Sequence, residues 1–119
     1  KRAVDLAEAV IKKNLGHIYT YGPLIHNPQV VNSLSKKGIR IIKGRDIVPE
    51  QGTVIIRAHG IAPEIRRKIE NTGVGISDAT CLYVLNVQNI ISKYANMEYA
   101  IIIVGDKGHA EVEAYMGYA

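Results

Sequence analysis

The side chains in this sequence with the most reactive chemistry are few and unevenly placed. The only cysteine, Cys81, lies in SDATCLYV (77–84), between a short apolar run and a helix-like pattern. Three of the four histidines also follow apolar runs: His26 in GPLIHN, His59 in RAHG, and His109 in GDKGHAE, which also carries Glu111. Imidazole N–H groups donate to anionic oxygens and exchange protons near neutral pH. A carboxyl held in a closed pocket has a raised pKa and acts as an acid. A thiol at a helix start meets free amides and the positive end of the backbone dipole, which favour the thiolate. A thiolate serves as a nucleophile or as a soft-metal ligand. Together these groups suit a site that binds an anion and moves protons beside a reactive sulfur.

Each member also has a plainer reading. His59 caps a carbonyl in a turn, and His26 with Asn27 belongs to a helix-capping loop. Glu111 favours the first turn of a helix, and Cys81 is a small buried residue at a strand–helix joint. Asp78 and Thr80 are placed to cap the helix after Cys81. His17 precedes a strand, has no evident partner, and reads as structural or exposed. What joins the others is a common position just beyond predicted strands.

Those strands and their helices follow from patterning. Ala3, Val4, Ala7, Val10 and Ile11 recur at helical spacing. Strands are predicted at 18–20, 39–43, 53–56, 74–77 and 99–104, the last a continuous apolar run of the kind buried on both faces. A helix is predicted from Pro28, with Asn27 as N-cap and Gly38 as stop. Another holds Ile65 and Ile69, with Pro63 near its start and Gly73 at its end. Val84, Val87, Ile91 and Tyr94 mark a third, up to about residue 96, and a short helix closes the sequence. Strand and helix alternate, which predicts an α/β fold with mainly parallel sheets flanked by helices. In such sheets ligands bind beyond the carboxyl ends of the strands, where His26, His59, Cys81, His109 and Glu111 fall.

Composition narrows the function. Hydrophobic residues make up 47% of 119, enough for a core, with Tyr supplying every aromatic ring. One cysteine excludes an internal disulfide framework. The net charge of +4 favours anionic partners in general. The basic groups at 12–13, 36–37 and 66–68 lie on helix-like segments and read as solvated faces rather than a nucleic-acid surface. No apolar run nears the ~20 residues that span a bilayer, and no signal peptide is visible, so neither a membrane nor a nucleic-acid partner is expected.

In order, RAV (2–4), YTYGPLIHNPQVV (19–31), VIIRAHG (54–60), DATC (78–81) and GDKGHAEV (105–112) resemble 4-hydroxy-3-methylbut-2-enyl diphosphate reductases. This family of iron–sulfur enzymes ends the non-mevalonate isoprenoid pathway. The resemblance implies three pseudo-symmetric α/β domains around a [4Fe–4S] cluster, with Cys81 as one of three cysteine ligands. It implies an internal fragment: 1–80 would be most of the first domain, without its N-terminal strand and first cysteine, and 81–119 the opening of the second. His26, His59, His109 and Asn27 would bind the substrate diphosphate, with Arg57 bordering them. Glu111 and His109 would serve catalysis through proton delivery. The reaction implied is reductive dehydroxylation to isopentenyl and dimethylallyl diphosphate. The electron donor would be a ferredoxin or flavodoxin, and the location bacterial cytoplasm or a plastid. The fragment alone would be inactive. Two positions depart from the family pattern, Leu82 and Ala110, each where a proline is usual. Two rival readings are a hydrolase or transferase with Cys81 as nucleophile, and a non-catalytic diphosphate-binding module.

Overall fold

Small residues let the first helix lie flat. Ala3, Ala7 and Val10 are buried on one side of α1 (Arg2–Lys12), against the sheet that follows. The computed structural model describes residues 2–13, 16–42 and 51–119. Next come β1 (Ile18–Tyr21), α2 (Pro28–Lys36), β2 (Ile39–Ile42), β3 (Thr53–Ile56), α3 (Pro63–Asn71) and β4 (Gly75–Asp78). The chain then runs through α4 (Leu82–Asn96) and α5 (Ala110–Met116). Residue 43, assigned above to the strand now seen as β2, lies outside the described residues.

The four strands form one sheet in the order β2-β1-β3-β4, and all three pairings are parallel. Alternate residues point to opposite faces. Ile18 and Ile55 join Ala7, Leu24 and Leu34 in one core, whereas Val54 and Ile56 join Ile61, Ile69 and Val74 in the other. So α1 and α2 cover one face and α3 covers the other. β3 is buried at every position because it lies inside the sheet with layers on both sides; the edge strands β2 and β4 are partly open. From β1 the chain winds outward to β2, then resumes on the opposite side at β3. That reversal opens a crevice between the exits of β1 and β3.

Asn27 caps α2 as expected, its side chain accepting from the amides of Gln29 (3.1 Å) and Val30 (3.3 Å). The basic clusters lie on exposed helix faces, where Lys37 pairs with Glu8, and Arg66 with Glu70.

The strand expected at 99–104 is absent. A strand needs a neighbour's ladder of hydrogen bonds, and no described residue supplies one. The run instead passes beside Ile90, Ile91 and Tyr94 of α4, leaving Ile102 87% and Val104 94% exposed. The short closing helix is present as α5.

Candidate functional site

Main-chain hydrogen bonds carry the order of the sheet into its exit loops. The Ala58 amide, just after β3, donates to the Leu24 carbonyl in the loop after β1 at 3.0 Å. The Ala58 carbonyl accepts from the Cys81 amide, after β4, at 2.9 Å. The main chain of one residue thus ties together three loops, and the next residue is His59.

The His26 and His59 rings lie 4.3 Å apart, centroid to centroid. His109 joins them from outside the sheet, 6.3 Å from His26 and 5.8 Å from His59. His59 Nδ1 is 3.0 Å from Glu111 Oε1, with both side chains partly buried. His109 is the N-cap of α5, its Nδ1 accepting from the Glu111 amide at 3.2 Å. An accepting nitrogen carries no proton, so the neutral His109 ring holds its proton on Nε2, leaving that N–H free to donate. His26, His59, His109 and Glu111 therefore form one cluster, although the segment before His109 is not a strand.

Asn27 stands next to His26, but its side-chain oxygen is engaged by the α2 cap. Both residues border an open groove of about 380 Å³. Arg57 points along the loop: its Nε donates to the Gly60 carbonyl at 3.1 Å and its guanidinium lies over the Tyr21 ring. Burial lowers its pKa, opposed by Tyr21, and an arginine so placed stays charged. Its role here is to brace the turn that presents His59. Gly60 (φ +77°) completes that turn in a conformation L side chains rarely adopt, and a Cβ there would come 2.6 Å from Gln88 Nε2. Gln88 is 3% exposed, and its Nε2 has no hydrogen-bond partner among the described residues.

Cys81 is free, half-buried and N-cap of α4, with no side-chain cap bond. It borders a recess of about 340 Å³ shared with Arg2, Ala3, Ile25 and Ala58. The sulfur is therefore not sealed in hydrocarbon. Asp78 and Thr80 do not cap α4 as expected. Asp78 lies too early in the chain and instead accepts from the Thr80 amide (2.9 Å), the Thr80 hydroxyl and Arg66 Nη1 (2.9 Å). Burial by itself would raise the Asp78 pKa; the bonds from Thr80 and then Arg66 outweigh it and hold the carboxyl below its ordinary value. Arg2 donates to the Thr80 carbonyl. The DATC loop is thus knotted in place by residues from α1 and α3.

Tyr115 escaped the sequence reading. It follows Glu111 by four residues, on the same face of α5. Its phenol pKa is raised by burial, then by the nearby charges of Glu111 and Cys81. That spacing was the available signal.

The family model described as LytB protein matches residues 1–119. A protein of Aquifex aeolicus named 4-hydroxy-3-methylbut-2-enyl diphosphate reductase is 43% identical over 118 residues, covering 99% of this chain and 40% of its own. A Thermoanaerobacter protein of the same name is 42% identical over 121 residues, covering 99% and 42%. A solved structure of (E)-4-hydroxy-3-methyl-but-2-enyl diphosphate reductase, described as the terminal enzyme of the non-mevalonate pathway, superposes with TM-score 0.86 at 43% identity. It covers 98% of this chain and 41% of its own. The corresponding reductase from Plasmodium falciparum gives 0.93 at 33% identity, over 99% and 37%. The chain spans about two fifths of the length of these curated relatives.

Proposed function

This chain belongs to the LytB protein family, and on that premise we propose that it carries the histidine- and acid-bearing side of a 4-hydroxy-3-methylbut-2-enyl diphosphate reductase. The observation that carries this reading is the cluster itself: three imidazoles within 6.3 Å of one another, one of them bound to a carboxyl at 3.0 Å. A diphosphate needs several N–H donors on one side, and the leaving hydroxyl needs a proton source on the other. His26, His59 and His109 supply the donors. Glu111 engages Nδ1 of His59, which leaves its Nε2 for a bound anion. His109 donates through Nε2. Asn27 contributes mainly by setting the loop that carries His26.

The reaction breaks the C4–O bond and consumes two electrons and two protons, releasing water with isopentenyl or dimethylallyl diphosphate. Glu111 is the group placed to give a proton, and its contact with His59 offers a path for reloading it. The family is one of iron–sulfur enzymes. The residues fit a share in such a centre: Cys81 is a free thiol at an open recess, while no three His, Cys, Asp or Glu side chains among the described residues are grouped to enclose a metal ion. Cys81 would hold one iron of a [4Fe–4S] cluster, with its other two cysteine ligands coming from outside these residues. When bound, such a cluster would relay electrons from the donor and supply Lewis acidity.

The same reading divides the chain into most of a first α/β domain at 1–80 and the opening of a second at 81–119. It takes a ferredoxin or flavodoxin as donor, and bacterial cytoplasm or a plastid as location. No helix among the described residues is long and apolar enough to cross a membrane. The test uses the full-length protein purified without oxygen. It should hold iron and sulfide and reduce the substrate with a low-potential one-electron donor. Glu111→Gln should lower kcat by about 10²–10⁴-fold with iron content unchanged. A metal-free protein with an alkylatable Cys81 would instead support the nucleophile. Tight diphosphate binding without reduction would leave a binding module.

A further inference from the structure

The α5 helix meets the sheet-bearing part of the chain at two marked points. One is the contact between Glu111 and His59. The other is Gly117, the C-cap of α5, where an added Cβ would come 2.8 Å from Ala62 Cβ and 2.9 Å from Pro63 Cδ. Gly117 has φ −70° and ψ −20°, a backbone that any L-residue adopts. Backbone strain therefore gives no reason for glycine there; the close approach does. Neither opposing atom can swing aside, because one is a Cβ fixed to its main chain and the other belongs to a pyrrolidine ring.

The two points link the same two short segments. His59, Ala62 and Pro63 lie in the turn leading into α3, while Glu111 and Gly117 are six residues apart on α5, about 9 Å at 1.5 Å per residue. Two pins at that separation fix both the depth and the tilt of a seven-residue helix. Beside Gly117, partial burial raises the Tyr118 phenol pKa, opposed by the charge of Arg66 on α3.

We propose that Gly117 is a positioning residue: its missing side chain seats α5 on the start of α3, and that seat sets the reach of Glu111 to His59. Its kinetic consequence rests on the reductase reading above; its geometry does not. Carbon atoms in contact sit about 3.5–4.0 Å apart, so an alanine would push the end of α5 back by roughly 0.6–1.2 Å. The Glu111–His59 contact, at 3.0 Å, has little room to lengthen before it is lost.

The experiment uses the full-length protein with its native metal content. Gly117→Ala should move the ¹⁵N resonance of His59 Nδ1 toward its position in Glu111→Gln. It should also lower kcat by about 10- to 100-fold, as expected for misplacement of about 1 Å, with KM changed far less and iron content unchanged. Adding Ala62→Gly and Pro63→Ala removes both opposing atoms while keeping an acceptable helix start, and should restore the resonance and the rate. A His59 signal unmoved by Gly117→Ala would overturn the proposal, as would a loss that the added pair does not reverse. If Gly117→Ala alone does not fold, a folded triple variant with the native His59 signal supports the seat and an unfolded one refutes it. Absence of reductase activity in the unsubstituted protein would sink the functional reading and leave the resonance test of the seat intact.

Discussion

Ala110→Pro should stabilise the full-length protein. Ala110 is the first residue of α5, a position where the backbone N–H has no intrahelical acceptor. Among the described residues that N–H makes no hydrogen bond, so losing it removes nothing. The preceding residue, His109, has φ −64° and ψ 135°, extended as a residue before proline prefers. The Cβ is retained, and the His109 cap on the Glu111 amide does not involve residue 110. The gain comes from the unfolded chain, which loses freedom it would otherwise regain, and amounts to about 0.4–1 kcal/mol. In a protein larger than about 150 residues that raises Tm by roughly 1–4 °C. Differential scanning calorimetry beside the unsubstituted protein measures it, with His59 ¹⁵N spectra confirming that Glu111 stays in place. A lowered Tm would refute the reasoning, because it would mean that the Ala110 amide or the ψ of His109 is not as described. Leu82, the other departure from the family pattern, is likewise first in its helix, after Cys81 at φ −58° and ψ 140°. Its side chain also borders the Cys81 recess, so proline there mixes a gain with a lost apolar contact.

Gly60→Ala forces an L-residue to φ +77° and drives a Cβ into the Gln88 amide. It should cost at least about 1–2 kcal/mol in urea denaturation, with part recovered on adding Gln88→Ala. Asn27→Ala removes the α2 cap and should cost about 1 kcal/mol, with the His59–Glu111 contact kept. Asp78 has a folded pKa below its ordinary 3.8. Its contribution is therefore complete above that value and is lost as pH falls through the lower folded one, where the unfolded chain binds the extra proton. Stability measured from about pH 5 down to about pH 2 should fall more steeply in the unsubstituted protein than in Asp78→Asn. Parallel slopes would show that the Thr80 and Arg66 bonds do not act on the carboxyl.

Much of this architecture was legible because its signals are local. Proline and glycine punctuate α2 and α3, the spacing of Ala3, Ala7 and Val10 marks α1, and the short apolar runs mark the strands. Strand order was not readable, yet the site needed only the rule that parallel strands end on one side. That rule brought His26 and His59 together. It reached His109 and Glu111 for a partly wrong reason, since the segment before them is apolar enough for a strand but finds no ladder among the described residues. Apolarity prepares a strand; a neighbour makes it. Asp78 illustrates the other limit. Its type and place suit a helix cap, but an amide two residues away and a guanidinium from α3 compete for it, and only the folded chain reveals the second. Gly117 and Gln88 were invisible for the same reason, because their significance lies wholly in what folds against them.

The main-chain bonding of Ala58 has a consequence beyond geometry. Because the ties from Leu24 to Ala58 to Cys81 are made by amides and carbonyls, they make no use of the His59 or Cys81 side chains. The reactive groups can be exchanged one at a time, in the laboratory or by drift, with these main-chain ties still available. A scaffold knitted this way is easily retooled, and it makes single substitutions at His26 or Cys81 clean reports on chemistry rather than on collapse.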